Sequence, residues 1–194
     1  MTRSFADQPL PAGTLEDLVD LASRAPSAGK TQGWHVVVFE GDDTRRFWDI
    51  TLAAERRETF GWPGLLRAPA IMLPFADPEA YVQRYSEPDK AATGLGSGVD
   101  AWPTPYWTID ASMAVMTLLH AAEDVGLGAL LFGVFRGERE LRAELGVPDR
   151  LVLLGAIALG WPAEQTANVP RANAGRSATR PRRTPTEILH RATW

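Results

Sequence analysis

The run of residues 109–125 constrains this chain more than any other part of it. Ile109, Met113, Val115, Met116, Leu118, Leu119, Ala121, Ala122 and Val125 recur at helical spacing and leave hardly a polar face. Thr108 or Asp110 is placed to cap the start, and Gly126 to end the helix in the left-handed conformation. A helix this apolar must be covered on most sides. In a chain of 194 residues it belongs either at the domain centre or in an interface between two copies. With 45% apolar residues and seven Trp, the chain can bury one substantial core, and a single domain over 1–194 is expected.

The remaining pattern alternates helices and strands. Thr14 caps a first helix carrying Leu15, Leu18, Val19 and Ala22. A second helix starts at Asp42 or Asp43 and runs to about Phe60. Residues 68–75 read as a short strand, and Pro69 and Pro74 near its ends place it at an edge or a terminus. Residues 128–135 form a strand, 136–145 a helix stopped by Gly146, and 151–161 a last core strand. This order is that of an α+β protein with no internal repeat. The segment 77–108 interrupts it. It is rich in Gly and Pro and carries Tyr81, Tyr85, Trp102, Tyr106 and Trp107. A segment that long inside a compact domain reads as a lid, part-helical over 78–87, whose aromatics wall a substrate site. Residues 168–194 form a polar, Arg-rich arm whose apolar end, Ile188, Leu189 and Trp194, is expected to pack on another subunit.

Between the first helix and the first strand lies the stretch 24–39. Pro26 disfavours helix at Ala25, so the helix ends near Ser23 or Arg24. Ser27, Ala28 and Gly29 then let backbone come close to something flat or anionic. The unbroken apolar run from Trp34 to Phe39, with His35 the exception, predicts a central strand covered on both faces. Together these make a rigid backbone platform suited to a planar cofactor. Gly29-Lys30-Thr31 ends like a phosphate-binding P-loop, but that pattern needs glycine where Arg24 stands, and it follows a strand rather than a helix. A helix-to-strand connection with no ligand stays open at this point.

Charge and residue types exclude several chemistries. A net charge of −4 argues against a nucleic-acid or membrane-surface partner. With no cysteine there is no thiolate catalysis, disulfide framework or Cys-ligated metal. His35, His120 and His190 are far apart with no ligand-like spacing, so no metal site is expected. No basic-then-apolar leader and no membrane-length apolar run appear, and a soluble cytoplasmic protein is the expectation. The side chains offer no self-sufficient catalyst, so a cofactor must carry any difficult chemistry. Arg171, Arg176, Arg180, Arg182, Arg183 and Arg191 in the arm are either solvated or a phosphate clamp.

Several of these stretches resemble motifs of the nitroreductase family of FMN oxidoreductases. Ala25-Pro-Ser-Ala-Gly-Lys-Thr-Gln-Gly-Trp34 is similar to its A-P-S-x-x-N-x-Q-P-W signature, with Lys30 in place of the usual Asn and Gly33 in place of the usual Pro. Thr2-Arg3-Ser4-Phe5, Gly126-Leu-Gly128, Phe132-Gly133, the strand ending at Pro162 and Arg182-Arg-Thr-Pro-Thr-Glu187 resemble further motifs in family order. The resemblance implies an α+β nitroreductase-like fold, a central mixed but mainly antiparallel sheet flanked by helices, in a domain-swapped homodimer. It implies FMN bound by Arg3, Pro26, Ser27, Ala28, Gly29, Gln32, Leu131, Phe132, Gly133, Arg182 and Arg183. Arg3 would sit at the N1/O2 edge, and Arg182 and Arg183 would take the phosphate. No residue is assigned as certainly catalytic, because N5 of the flavin carries the chemistry. NAD(P)H would reduce the flavin, leave, and be replaced by a nitroaromatic, quinone or other electrophilic acceptor. A specialised flavin dehydrogenase or dehalogenase, or a non-catalytic FMN-binding protein, are the alternatives.

Overall fold

The computed structural model describes residues 1–163 and 180–193. The chain forms two compact units, Met1–Glu164 and Gln165–Trp194. In the first, helices α1 (Thr14–Ala22), α2 (Thr44–Thr51), α3 (Ala54–Arg57), α4 (Pro78–Tyr85), α5 (Tyr106–Asp124) and α6 (Glu138–Leu145) accompany strands β1 (Trp34–Glu40), β2 (Ala70–Ala76), β3 (Gly128–Phe132), β4 (Val152–Leu153) and β5 (Ala156–Gly160). The strands form one sheet in the order β1-β2-β5-β3, with β4 also on β2, and every pairing among them is antiparallel. Among the described residues no helix is long and apolar enough to cross a membrane.

Two apolar layers hold the sheet. On one face α1 and α5 pack over Ala70, Met72, Ile157 and Leu159, with Leu18, Val115 and Leu118 at the centre. On the other, Phe47 and Trp48 of α2 and Leu141 of α6 meet Phe39, Ile71, Leu73, Phe75 and Leu130. The alternation of Ile71 and Leu73 with Ala70 and Met72 is the two-residue period of a strand feeding two cores.

Three sequence expectations change here. β1 is an edge strand, bonded among the described residues to β2 alone. Its apolar run has another cause: Val37 and Phe39 face one core while Trp34 and Val36 face the other. Helices thus cover both faces of a strand that keeps one free edge, with Val38 still 38% exposed. β2, expected at an edge, is the buried centre of the sheet. Pro74 is tolerated there because it falls opposite the break between β4 and β5, where Leu154 N–H donates to its carbonyl at 3.0 Å and Gly155 takes a φ of 137°. The second helix does not reach Phe60: Leu52 turns extended, and Thr51 bonds its hydroxyl back to Phe47 O, splitting α2 from α3.

α5 begins at Tyr106, because Pro105 supplies its N-cap position, so neither Thr108 nor Asp110 caps it. It buries Trp107, Asp110, Ala111, Ala114, Leu118 and Ala122 along one stripe. Tyr106, Met113 and Met116 on the other side are 41, 41 and 48% exposed. In the second unit the described residues hold one short turn, Pro185–Glu187, capped by Thr184. Ile188 and Leu189 there are 61 and 58% exposed.

Candidate active site

The loop between α1 and β1 is built by backbone geometry that few sequences allow. Ser27 is extended, and Gly29, Lys30 and Gln32 take φ values of 62°, 54° and 53°. Gly29 adopts this freely, whereas Lys30 and Gln32 are strained. The surroundings hold them there. Lys30 N–H donates to Ser27 O at 2.9 Å, and Thr31 gives Ala28 O both its N–H and, at 2.6 Å, its hydroxyl. Gln32 donates its N–H to Ser27 Oγ at 3.0 Å and its side-chain amide to Ser23 O at 2.9 Å, tying the loop to the end of α1. Ser27 Oγ accepts in this arrangement and keeps its own O–H to donate.

Asp110 and helix α4 hold the loop from below. Asp110, 6% exposed, reaches from α5 and accepts Ala28 N–H at 2.7 Å and the Tyr81 hydroxyl at 2.8 Å. Burial, and after it this hydrogen bond, pushes the Tyr81 phenol well above its ordinary value. Arg84 donates to Gly29 O at 2.9 Å and grips Asp89 through two 2.8 Å bonds, which hold the Asp89 carboxyl down at about 2. Asp77 N–H donates to Gly33 O at 2.9 Å. The rings of Tyr81 and Tyr85 lie against Gly33 and Gly29. Sequence reasoning missed Asp110 and Arg84. The signal for Asp110 was a lone carboxylate on the inner stripe of the most apolar helix.

The five aromatics of 77–108 form one cluster. Trp102 stands at its centre, with ring centroids 5.7, 4.7, 5.9 and 6.2 Å from Tyr81, Tyr85, Tyr106 and Trp107. Its Nε1–H donates to Leu95 O at 3.0 Å and fastens the Gly-rich segment. The part-helical start expected over 78–87 is α4. Tyr81, Trp102 and Trp107 are at most 9% exposed, so they pack the fold rather than wall a substrate site. Tyr106 at 41% and half-buried Tyr85, with Lys90 Nζ 5.8 Å from its ring, are the two rings of the cluster that reach the surface.

The remaining site residues fall elsewhere. Phe132 stacks on Trp48 at 6.0 Å and 5° inside the core, so only its backbone can face a ligand. Leu131 is 40% exposed, and Phe135, 93% exposed, folds over Gly133. Arg3 lies on an arm beside β3: Thr2 N–H donates to Ala129 O, and Phe5 bridges Pro162. Its guanidinium sits 5.7 Å over the Trp62 ring, which is 41% exposed. The 25–33 loop adjoins Trp34, and the sheet register places Ala129 level with the far end of β1, across Leu159 and Ala70 from Glu40. Six residues of strand, about 20 Å, separate the two levels. Loop and Arg3 are therefore at opposite ends of one sheet. Arg182 and Arg183 are exposed in the second unit, where Arg183 donates to Glu187 O. Arg171 and Arg176 lie outside the described residues. Among the described residues no group of His, Cys, Asp or Glu is arranged to hold a metal.

Comparison with known proteins gives this arrangement its context. The chain is 28% identical to an NADH dehydrogenase of Thermus thermophilus over 84% of this chain and 82% of the relative. It is 29% identical to a 4-nitrobenzoate reductase of a Nocardioides species over 82% and 75%. An FMN-dependent nitroreductase of Clostridium difficile, 20% identical, has the same fold over 90% of this chain and 92% of its own, with a TM-score of 0.59. The family model of the nitroreductases matches residues 1–161, and the chain belongs to the nitroreductase family.

Proposed function

We propose that this chain is an FMN-dependent oxidoreductase that takes electrons from NAD(P)H and passes them to a small electrophilic acceptor of the nitroaromatic or quinone type. The observation that carries the proposal is the 25–33 loop. Its inward polar groups are satisfied within the fold, while Ser27 faces an open cavity of about 490 Å³ shared with Pro26, Lys30 and Gln32. That volume lies in the range of small-ligand sites. A hydroxyl donor on a rigid, small-residue backbone suits the polar edge of a flavin, and Ala25 and Pro26 border the cavity beside it.

The flavin fits these residues as two half-sites. Arg3 supplies a cation at one end of the sheet, and the Ser27 hydroxyl supplies a donor at the other. One copy cannot bring both to one ring. Two copies can, joined through the exposed Met113 and Met116 of α5, whose apolar exposure is otherwise unexplained. The working unit is therefore a homodimer, and the apolar Ile188 and Leu189 of the arm are a second surface for a partner copy. By the resemblance, Arg182 and Arg183 would pair with the FMN phosphate.

When bound, FMN supplies hydride acceptance and delivery in two separate half-reactions. The protein's part is to hold the ring on the loop, to place the Arg3 charge where negative charge develops, and to admit nucleotide and acceptor in turn past Tyr85 and Tyr106. Mixing two inactive variants tests the composite site. Arg3→Ala and Ser27→Leu chains, refolded together, should regain flavin binding that neither has alone. If the mixture stays as poor as its parts, both half-sites belong to one chain and the dimer reading fails.

A further inference from the structure

Among the described residues, Asp110 is one of three buried polar or charged residues, with Thr44 and Asp77. Asp77 faces Arg150 at 3.3 Å and His35 at 3.5 Å. Among the described residues Asp110 has two donors, both neutral: the N–H of Ala28 and the hydroxyl of Tyr81, both to Oδ2. A carboxylate is costly to bury, and the two hydrogen bonds from Ala28 and Tyr81 offset that cost here. Both donors lie at the base of the loop. Tyr81 Cε2 packs against Gly33 at its far end, and Ala28 is its middle.

From this geometry we infer that Asp110 is the positioning residue of the 25–33 loop. By drawing Ala28 N–H inward, it orients the peptides on either side. Ser27 is then left extended with its hydroxyl outward, and Gly29 enters its left-handed turn. By holding Tyr81, it ties α4, and with it the Arg84 bond to Gly29 O, to the same point. Asp110 touches neither ring nor substrate; it acts through the backbone that does. The functional consequence rests on the flavin reading above, while the positioning of the loop does not.

Two measurements separate the positioning of the loop from its consequence for flavin binding. Amide hydrogen exchange over residues 25–33 of the flavin-free protein reads the loop directly. Asp110→Leu should speed exchange there by about ten-fold or more, while Asp110→Asn stays within about three-fold of wild type, because an amide can accept from Ala28 and donate to the Tyr81 oxygen. Tyr81→Phe should fall between them. Leu118→Ala, a cavity in the same helix, should lower the melting temperature without loosening this loop selectively. The inference is overturned if Asp110→Leu leaves exchange over 25–33 unchanged, if Asp110→Asn loosens it equally, or if Leu118→Ala does the same. Fluorescence titration with FMN then reads the consequence: Asp110→Leu should weaken binding by about ten-fold, and Leu118→Ala by little. A wild-type protein that binds no FMN would sink the flavin reading, and the exchange data would still decide the role of Asp110.

Discussion

The ring of Tyr81 fills the space that a side chain on Gly33 would need: a β-carbon built there lies 2.7 Å from Tyr81 Cε2. A proline, which the resembling signature carries here, would need that same space. The ring, itself 1% exposed, cannot withdraw. Gly33→Ala should destabilise the fold by about 1–3 kcal/mol, the usual cost of overpacking. Chemical denaturation checks this. The Gly33→Ala cost should shrink in a Tyr81→Leu background, since the two residues share one volume.

Lys30 holds a left-handed φ of 54° that its side chain does not favour. Asn is better tolerated there, and glycine best. Lys30→Gly should raise stability by about 0.5–1 kcal/mol, and Lys30→Val should lower it, with thermal melting as the readout. If both substitutions lower the melting temperature alike, the Lys30 side chain is held by contacts that outweigh its backbone strain.

The aromatic cluster of 77–108 divides by burial. Trp102→Ala removes the ring that four others touch and should cost about 3–5 kcal/mol. Tyr106→Ala removes a ring 41% exposed and should leave the melting point close to wild type while raising KM for aromatic acceptors. Melting curves and acceptor kinetics on the same two variants distinguish packing from substrate contact.

Alkaline pH should weaken the fold through Tyr81. An unfolded tyrosine loses its proton near pH 10, whereas folded Tyr81 keeps it well above that value because burial and Asp110 both favour the phenol. The folded chain therefore binds a proton that the unfolded chain releases. Stability present below pH 10 falls as pH rises, by up to about 1.4 kcal/mol per pH unit from this one group. Tyr81→Phe should flatten that limb. At the acid end the Arg84–Asp89 pair contributes above the usual carboxylate range and is lost as pH falls towards 2, but its exposure keeps the effect small.

The helical and strand pattern was legible because hydrophobic period follows local geometry. The loop at Ser27, the apolar helix and the glycine stops at Gly126 and Gly146 could be read from it. The centre and edge of the sheet could not. Apolar residues on both faces of β1 record the helices above and below it, and they say nothing of hydrogen bonds along its free edge. Pro74 signalled an edge because a proline lacks a donor, yet a break in the neighbouring strand serves as well as an edge. Asp110 was read as a cap because a carboxylate near a helix start usually is one. Its partners are 82 and 29 residues away, a distance that no local pattern carries.

A flavin held by the loop at Ser27 and reduced by a nicotinamide nucleotide has a visible signature. The visible spectrum of the purified protein under anaerobic conditions, before and after addition of NADH or NADPH, reads it. A protein that is yellow, or becomes yellow on addition of FMN, that is bleached by at least one of the two nucleotides, and whose colour returns with a nitroaromatic or quinone, is the predicted result. A colourless protein that retains no added FMN, or a yellow one that neither nucleotide bleaches, would contradict it.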